Sequence, residues 1–367
     1  MRRSKIDAVM HITSSLGFGG VESHMKILAL NSHISRYEHL FCAISGGGAV
    51  ADELIAAQCP VKLLNVQSKI PSLTAVWALI WEIRAQRPSI VHCHGAEANF
   101  HGLIAGTLCQ VPVCIAEEIG FPNHSKKARL IFRWTYRLAD SVVAISQAVK
   151  RKIVDMGEIQ TSRCHVLLNP TQMLEERNLP TLSDEFRVGF VGRLEEVKNP
   201  IGLVRAVSLL RDRGVSIVLR VVGDGSQRTI LEQEVATLGL TEHVILGGFA
   251  SEPFAQLLDA DLYVQPSISE GFGLALVEAM SMGIPVLATA VGGAPEIICD
   301  GENGWLLSGT SPAEIADKIE KIAKAKKALL EAIGKKGRES VVNRFSPAVY
   351  IKECDAFYDR LLSEQHS

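Results

Sequence analysis

The sequence predicts an α/β protein built from two doubly wound parallel sheets, and three observations lead there. Short apolar runs alternate with helix-length periodic segments along most of the chain, the rhythm of parallel α/β layers. The runs fall into two series separated by a polar, proline-bracketed stretch. The 367 residues suffice for two cores when about 150 make one domain. The first series opens with Met1-Arg-Arg-Ser-Lys-Ile-Asp-Ala-Val-Met-His-Ile12. Its apolar part is too short and too interrupted for a signal peptide, so it reads as a first strand. Leu40-Phe-Cys-Ala-Ile44, Ile90-Val-His-Cys93 and Val142-Val-Ala-Ile145 follow as further strands. Asn169 to Pro180 then reads as a linker. The second series runs Arg187-Val-Gly-Phe-Val191, Ser216 to Val222, His243-Val-Ile-Leu246, Leu262-Tyr-Val264 and Pro285-Val-Leu-Ala288. The expected division is a Rossmann-like domain over 1–168, a linker over 169–184, a second Rossmann-like domain over 185–346 and a final helix over 347–367.

Composition narrows the function classes. The chain is 47% hydrophobic and 21% charged with a formal net charge of −2, a balance that argues against bulk nucleic-acid binding. Eight scattered cysteines lack any CxxC pair or metal spacing, which fits free thiols in a reducing, cytoplasmic setting. No stretch approaches the roughly 20 uninterrupted apolar residues that span a bilayer, so any membrane contact is expected to be peripheral, at the inner face.

The most informative run is Ser269-Glu-Gly-Phe-Gly-Leu-Ala-Leu-Val-Glu-Ala-Met280. A strand ending at Gln265 precedes it, and Gly283-Ile-Pro285 stops the helix it opens. Gly271 and Gly273 let backbone approach a bound group, and the N–H groups opening the helix form an anion site for which phosphate is the natural occupant. Glu270 precedes the helix and Glu278 lies inside it, too differently placed for an acid/base pair. Each offers acceptor oxygens to the paired hydroxyls of a sugar or ribose. The plainer alternative is that Glu270 complements the helix dipole and Glu278 is an ordinary helix residue.

This run is similar to the E-x7-E signature of retaining glycosyltransferases of family 4, whose GT-B fold sets two Rossmann-like domains facing a central cleft. Its flanks agree in order: Phe190-Val-Gly-Arg-Leu-Glu-Glu-Val-Lys-Asn-Pro200, with Asn199 where glycine is commoner; Val221-Val-Gly-Asp-Gly-Ser226; Gly247-Gly-Phe249; Ala290 to Ile297 as a glycine turn; and Asp300 to Leu306 as a hairpin. The resemblance implies that Arg193 and Lys198 hold the diphosphate of a nucleotide-sugar, through a planar fork of donors and a compact charge. Read alone, Arg193 would be a surface partner of Glu195 or Glu196. The resemblance further gives Glu270 the donor-sugar hydroxyls, Glu278 the ribose, and Gly271, Phe272, Gly273 and Leu274 a backbone clamp. It implies a metal-independent reaction without cofactor, in which the departing phosphate assists deprotonation of the acceptor. Asp259-Ala-Asp261, a DxD triplet, is accordingly read as a helix-to-strand junction with no metal.

The N-terminal cluster Gly17-Phe-Gly-Gly-Val-Glu22 opens a helix over Val21 to Asn31. Glu22 stands where a dinucleotide fingerprint wants its third glycine, which disfavours NAD. Gly19 and Gly20 are expected to meet the donor diphosphate or the acceptor, unless they form only a tight turn. Ile90-Val-His-Cys-His-Gly-Ala-Glu97 puts His92 and His94 at a strand end, with His94 the acceptor-side candidate and His92 as readily a packing residue. Where related enzymes place another histidine, this chain has Ala116-Glu-Glu-Ile-Gly-Phe-Pro122, so Glu117 or Glu118 is the substitute as base or acceptor contact. Downstream, Arg129, Arg133 and Arg137 share a helical face beside Leu130, Trp134 and Leu138. Such a helix rests on an anionic membrane or buries its apolar stripe in its own domain.

The expected function is a retaining hexosyl transfer from a nucleotide-sugar, UDP- ahead of GDP-, to a glycan or lipid-linked acceptor in cell-surface polysaccharide or lipopolysaccharide synthesis. The alternatives are a nucleotide-sugar epimerase or sugar phosphorylase of the same fold, and a non-catalytic sugar-binding protein.

Overall fold

The structure, a computed structural model, describes residues 7–17, 19–177 and 185–365. Residues 1–6 at the expected first strand, Phe18 of the glycine cluster, 178–184 of the expected linker and 366–367 lie outside the described residues. The chain divides into two compact units, residues 1–171 with 346–367, and residues 172–345.

In the first unit, β1 (Ala8–Thr13), α1 (Gly20–Asn31), β2 (Glu38–Ala43), α2 (Ala49–Ala56), β3 (Val61–Leu63), α3 (Leu73–Gln86), β4 (Ile90–His94) and α4 (Ala96–Leu108) alternate in order. They continue as β5 (Val113–Glu118), α5 (Lys126–Thr135), β6 (Ser141–Ala144), α6 (Gln147–Asp155) and β7 (Cys164–Val166). The seven strands form one parallel sheet in the order β3-β2-β1-β4-β5-β6-β7. Covered on both faces, the central strands are almost continuously buried, which is why they read as unbroken apolar runs. Ser72, Ser125 and Ser146 cap α3, α5 and α6 by accepting a backbone N–H three residues on.

In the second unit, β8 (Phe186–Val191), α7 (Pro200–Asp212), β9 (Ile217–Val222), α8 (Arg228–Thr237), β10 (Val244–Gly248), β11 (Leu262–Gln265), α9 (Leu274–Ser281), β12 (Val286–Thr289), α10 (Ala294–Ile297) and β13 (Trp305–Leu307) precede α11 (Pro312–Ala323) and α12 (Lys327–Arg344). Their sheet is also parallel, ordered β10-β9-β8-β11-β12-β13. The expected hairpin over Asp300–Leu306 is corrected here. Asn303-Gly304 mimics a hairpin turn in sequence, but Trp305–Leu307 pairs in parallel with β12 after an isolated Asp300–Gly304 bridge. The last helix, α13 (Pro347–Gln365), belongs to the first unit. Its Tyr350, Ile351, Cys354, Phe357, Tyr358 and Leu361 enter that unit's core with Val9, Phe41, Ile90 and Ile115. Asp355 accepts hydrogen bonds from Ser35 Oγ (2.6 Å) and the Arg36 N–H (3.1 Å), fixing the helix over that core.

Candidate functional site

Both sheets change winding direction once, between β1 and β4 and between β8 and β11. Doubly wound sheets bind ligands outside the carboxyl ends of the strands at such a switch. In the second unit the two loops leaving that point carry Arg193 and Lys198 after β8 and Glu270 after β11. The Ile268 N–H donates to Val197 O (2.8 Å), tying the loops together. Lys198 Nζ then meets Glu270 Oε2 at 2.5 Å, with both side chains largely shielded. Gln265 Nε2 (3.2 Å) and Ser267 Oγ (3.3 Å) donate to the same oxygen. Tyr263 OH donates to Val191 O and to Gln265 Oε1, which sets the Gln265 amide. Three donors converge on one carboxylate oxygen at the sheet switch, an arrangement the sequence alone does not announce for Gln265 and Ser267.

Glycines shape these loops by letting backbone meet backbone. A Cβ at Gly292 would stand 1.7 Å from the Glu270 carbonyl oxygen, and one at Gly293 would stand 2.6 Å from that of Phe272. Gly223 and Gly225 sit equally close to the Gly192 and Leu194 carbonyls, 1.9 and 2.6 Å from where a Cβ would be. The two glycine turns thus press the Glu270 and Arg193 loops into place, and any side chain there would displace them. Asn199 has φ 54°, the left-handed conformation that explains glycine at this position in the family. Its side chain caps α7 at the Gly202 N–H and donates to Thr310 O.

Arg193 is exposed and forms no ion pair among the described residues. Glu195 is engaged by Ser226, through Oγ (2.6 Å) and the backbone N–H (3.2 Å), with the Arg193 charge a lesser influence on it. Gly273 (φ 108°) precedes α9, which no side chain caps, leaving its amino end suited to an anion. Glu278 lies in α9, partly exposed, its carboxyl pushed up to about 7 by burial and then by Glu252. Asp261 accepts from the Arg187 N–H (2.9 Å) and Nε (3.1 Å), so it serves the junction at β11. A cavity of about 280 Å³ lies at the amino-terminal edge of this sheet, lined by Arg187, Arg220 and Asp259, away from the switch loops.

In the first unit, Gly20 opens α1 and Gly19 precedes it at φ 153°. Glu22 fills the space where a Gly19 side chain would be and accepts from Ser15 Oγ (2.9 Å). The acceptor-side candidates are buried more deeply than their strand-end positions suggest. His94 is 1% exposed, its Nε2 paired with His11 Nδ1 (2.9 Å) and its Nδ1 with Glu117. Glu118 is also buried and accepts from Tyr136 OH; burial raises its pKa, against that hydrogen bond. Strand burial places both in the interior of this unit. His92 is likewise internal, bonded to Tyr358 OH (2.8 Å).

The amphipathic helix α5 does not bury its stripe. Only Phe132 and Thr135 are buried in it, whereas Leu130 and Trp134 are 59% and 61% exposed, and Arg129, Arg133 and Arg137 are exposed beside them. The Arg137 guanidinium lies 4.4 Å from the Trp134 ring centroid. The sequence reading missed a second such surface: Leu73, Trp77 and Trp81, four apart on α3, are all exposed. Helices α3 and α5 both lie against α4. Among the described residues no helix is long and apolar enough to cross a membrane. All eight cysteines are free thiols.

Two family models match the chain, "Glycosyl transferases group 1" over residues 173–340 and "Glycosyltransferase Family 4" over residues 18–172. The capsular polysaccharide biosynthesis glycosyltransferase CapM of Staphylococcus aureus is 28% identical over 312 residues, 80% of this chain and 82% of that protein. The Escherichia coli UDP-Gal:alpha-D-GlcNAc-diphosphoundecaprenol alpha-1,3-galactosyltransferase is 23% identical over 344 residues, 88% of this chain and 87% of that protein. The crystal structure of Anabaena HepE in complex with UDP superposes with a TM-score of 0.82 at 22% identity, covering 96% of this chain and all of that one. That likeness establishes two Rossmann-like domains of GT-B type, as the strand rhythm and the signature run had led one to expect.

Proposed function

Because this chain belongs to the family 4 glycosyltransferases of GT-B fold, we propose that it transfers a hexose with retention of configuration from a UDP-sugar to a lipid-linked or glycan acceptor in cell-surface polysaccharide synthesis. The observation that carries the reading is the Lys198–Glu270 pair at the β8/β11 switch, held by Gln265 and Ser267 beside an uncapped α9. A carboxylate fixed this way presents acceptor oxygens to sugar hydroxyls, while Lys198, Arg193 and the amino end of α9 supply positive potential for a diphosphate. Glu278, four residues inside α9, takes the ribose hydroxyls. No side chain there is placed as a nucleophile, so the departing phosphate assists acceptor deprotonation on the face it leaves, and neither metal nor cofactor enters the step. UDP is preferred over GDP because the E. coli relative is named for UDP-Gal and HepE is described in complex with UDP.

Calorimetric titration with UDP-, GDP- and ADP-sugars, with and without chelator, tests this reading. Chelator-resistant binding of a UDP-sugar is expected, weakened about 10–100-fold by Arg193→Ala, the worth of a charge-assisted hydrogen bond. Failure to bind any nucleotide-sugar would sink the transferase reading in favour of a sugar-binding protein.

The acceptor side is assigned to an anionic membrane surface. Three arginines and two tryptophan-bearing helices, α3 and α5, face outward with their apolar side chains uncovered. Each arginine near such a surface contributes about 1 kcal/mol, so replacing Arg129, Arg133 and Arg137 together by alanine should weaken binding to anionic vesicles about 100-fold. Co-sedimentation unaffected by the triple change, or equal on neutral vesicles, removes this contact.

A further inference from the structure

The first unit carries a buried cluster that sugar transfer does not use. In a parallel sheet, residues in register share a face, and β1, β4 and β5 set His11 beside His92, and His94 beside Glu117. Helix α1 lays His24 over them, with its ring edge-on to His94 at 5.7 Å between centroids. His11, His24, His92, His94 and Glu117 are all at most 1% exposed. Four histidines and a carboxylate are therefore sealed together in a core.

Their hydrogen bonding is incomplete in a particular way. His11 is satisfied at both nitrogens, by His94 (2.9 Å) and by His39 (2.8 Å). Neither ring nitrogen of His24 has a hydrogen-bond partner, nor has Nε2 of His92 or Oε1 of Glu117. A buried polar atom without a partner costs about 1–3 kcal/mol, and native interiors rarely keep several side by side. The residues of this cluster lie close together, His94 being the one whose two ring nitrogens are already bonded, to His11 and to Glu117. One ligand atom each from His24, His94 and Glu117 lie within 4.8 Å of one another. His92 Nε2 stands 3.6 Å from Glu117 Oε2, near the edge length of about 3.3 Å between donors of a tetrahedral zinc site.

We propose that His24, His94 and Glu117, with His92 closing the fourth position, form a structural site for a divalent transition metal of zinc's class. The donor set, three imidazoles and one carboxylate, is the borderline kind that zinc takes, and the closed tetrahedron suits a structural rather than a catalytic ion. The remaining contacts orient the ligands as metal-binding histidines require. His92 Nδ1 is held by Tyr358 OH (2.8 Å), and His94 is held by His11. Asn99 grips the Glu117 backbone at both its N–H (3.1 Å) and its carbonyl (3.0 Å). The ion would join β4, β5 and α1 in one bonded group, in the first unit rather than the second, which carries Arg193 and Lys198, and is unrelated to metal assistance at the donor.

The test uses the full chain expressed with zinc supplementation, freed of loose metal by gel filtration, and analysed by inductively coupled plasma mass spectrometry. About one zinc per chain is expected, falling below about a tenth in His24→Phe and in Glu117→Gln. In the unaltered protein a strong chelator should lower Tm by more than about 5 °C, and zinc should restore it. Less than a tenth of an equivalent of zinc together with an unmoved Tm overturns the proposal, as does zinc retained equally by folded variants, judged by circular dichroism. Should either variant fail to fold, cobalt substitution of the unaltered chain decides. Intense visible absorption of a tetrahedral cobalt centre supports the site, and its absence removes it.

Discussion

Glu270→Ala is expected to lower kcat/KM for transfer from a nucleotide-sugar by about 10²–10⁴-fold, or about 3–5 kcal/mol of transition-state stabilisation. Three donors meet on Glu270 Oε2, and deleting the carboxylate abandons all of them at once. Lys198 would be left as a shielded ammonium without its partner, free to swing toward the diphosphate and bind it unproductively. Glu270→Gln keeps the shape but turns one oxygen into a donor that faces Lys198 Nζ, so it should recover little. Lys198→Ala should act mainly through KM for the donor, because it removes charge from the diphosphate while Gln265 and Ser267 still hold Glu270. Steady-state kinetics separate these outcomes. Activity of Glu270→Ala within about threefold of the unaltered enzyme would refute the assignment.

Mild acid should destabilise the first unit steeply. Burial lowers the pKa of His24 and His39 to about 4 and of His94 to about 3, and holds His11 and His92 well below the ordinary value. The folded unit therefore keeps these rings neutral where the unfolded chain, with imidazoles near 6.5, takes up protons. Folded values that are depressed mean that stability is complete above pH 6.5 and is lost as pH falls toward 4. An independent histidine costs about 1.4 kcal/mol per pH unit in that window. Glu118 and Glu353, whose carboxyls burial raises, act in the opposite sense, and Asp355 opposes the shift at His39. The net loss is on the order of a few kcal/mol, a large share of ordinary domain stability. Denaturant melts at pH 7.5, 6.5 and 5.5 should show the midpoint dropping. A midpoint that holds steady to pH 5.5 contradicts the neutral cluster. Metal in the site changes the magnitude and not the sign, since protons and metal compete for the same lone pairs.

Strands such as Ile90–His94 and Val286–Thr289 were legible because both faces of a parallel sheet are covered, so burial writes itself into sequence as an apolar run. The signature loop was legible because its glycines and carboxylates are contiguous. Lys198 and Glu270 are 72 positions apart, and only the strand order β8-β11 makes them neighbours. The histidine cluster was harder still. His24 sits on a helix, and His11, His94 and Glu117 each sit on a different strand, so no local spacing joins them. The alternation His92, Cys93, His94 hinted at a shared face, but what that face meets is set by register across three strands. The burial of His94 and Glu118 was hidden for a related reason. A strand's last residues are open at the edge of a sheet only when neighbouring elements leave them uncovered, and here His24 of α1 lies edge-on against His94.

The placement of α13 bears on how the protein is made. The helix that supplies Tyr358 to His92 and six side chains to the first core is translated after the whole of the second unit. A nascent chain therefore makes its N-terminal sheet some 170 residues before the helix that completes its core, about the span from Gln172 to Phe345. The second unit, continuous in sequence, can complete itself first. Co-translational folding should run from the middle of the chain outward, and the earlier-born half is the later one to complete its core.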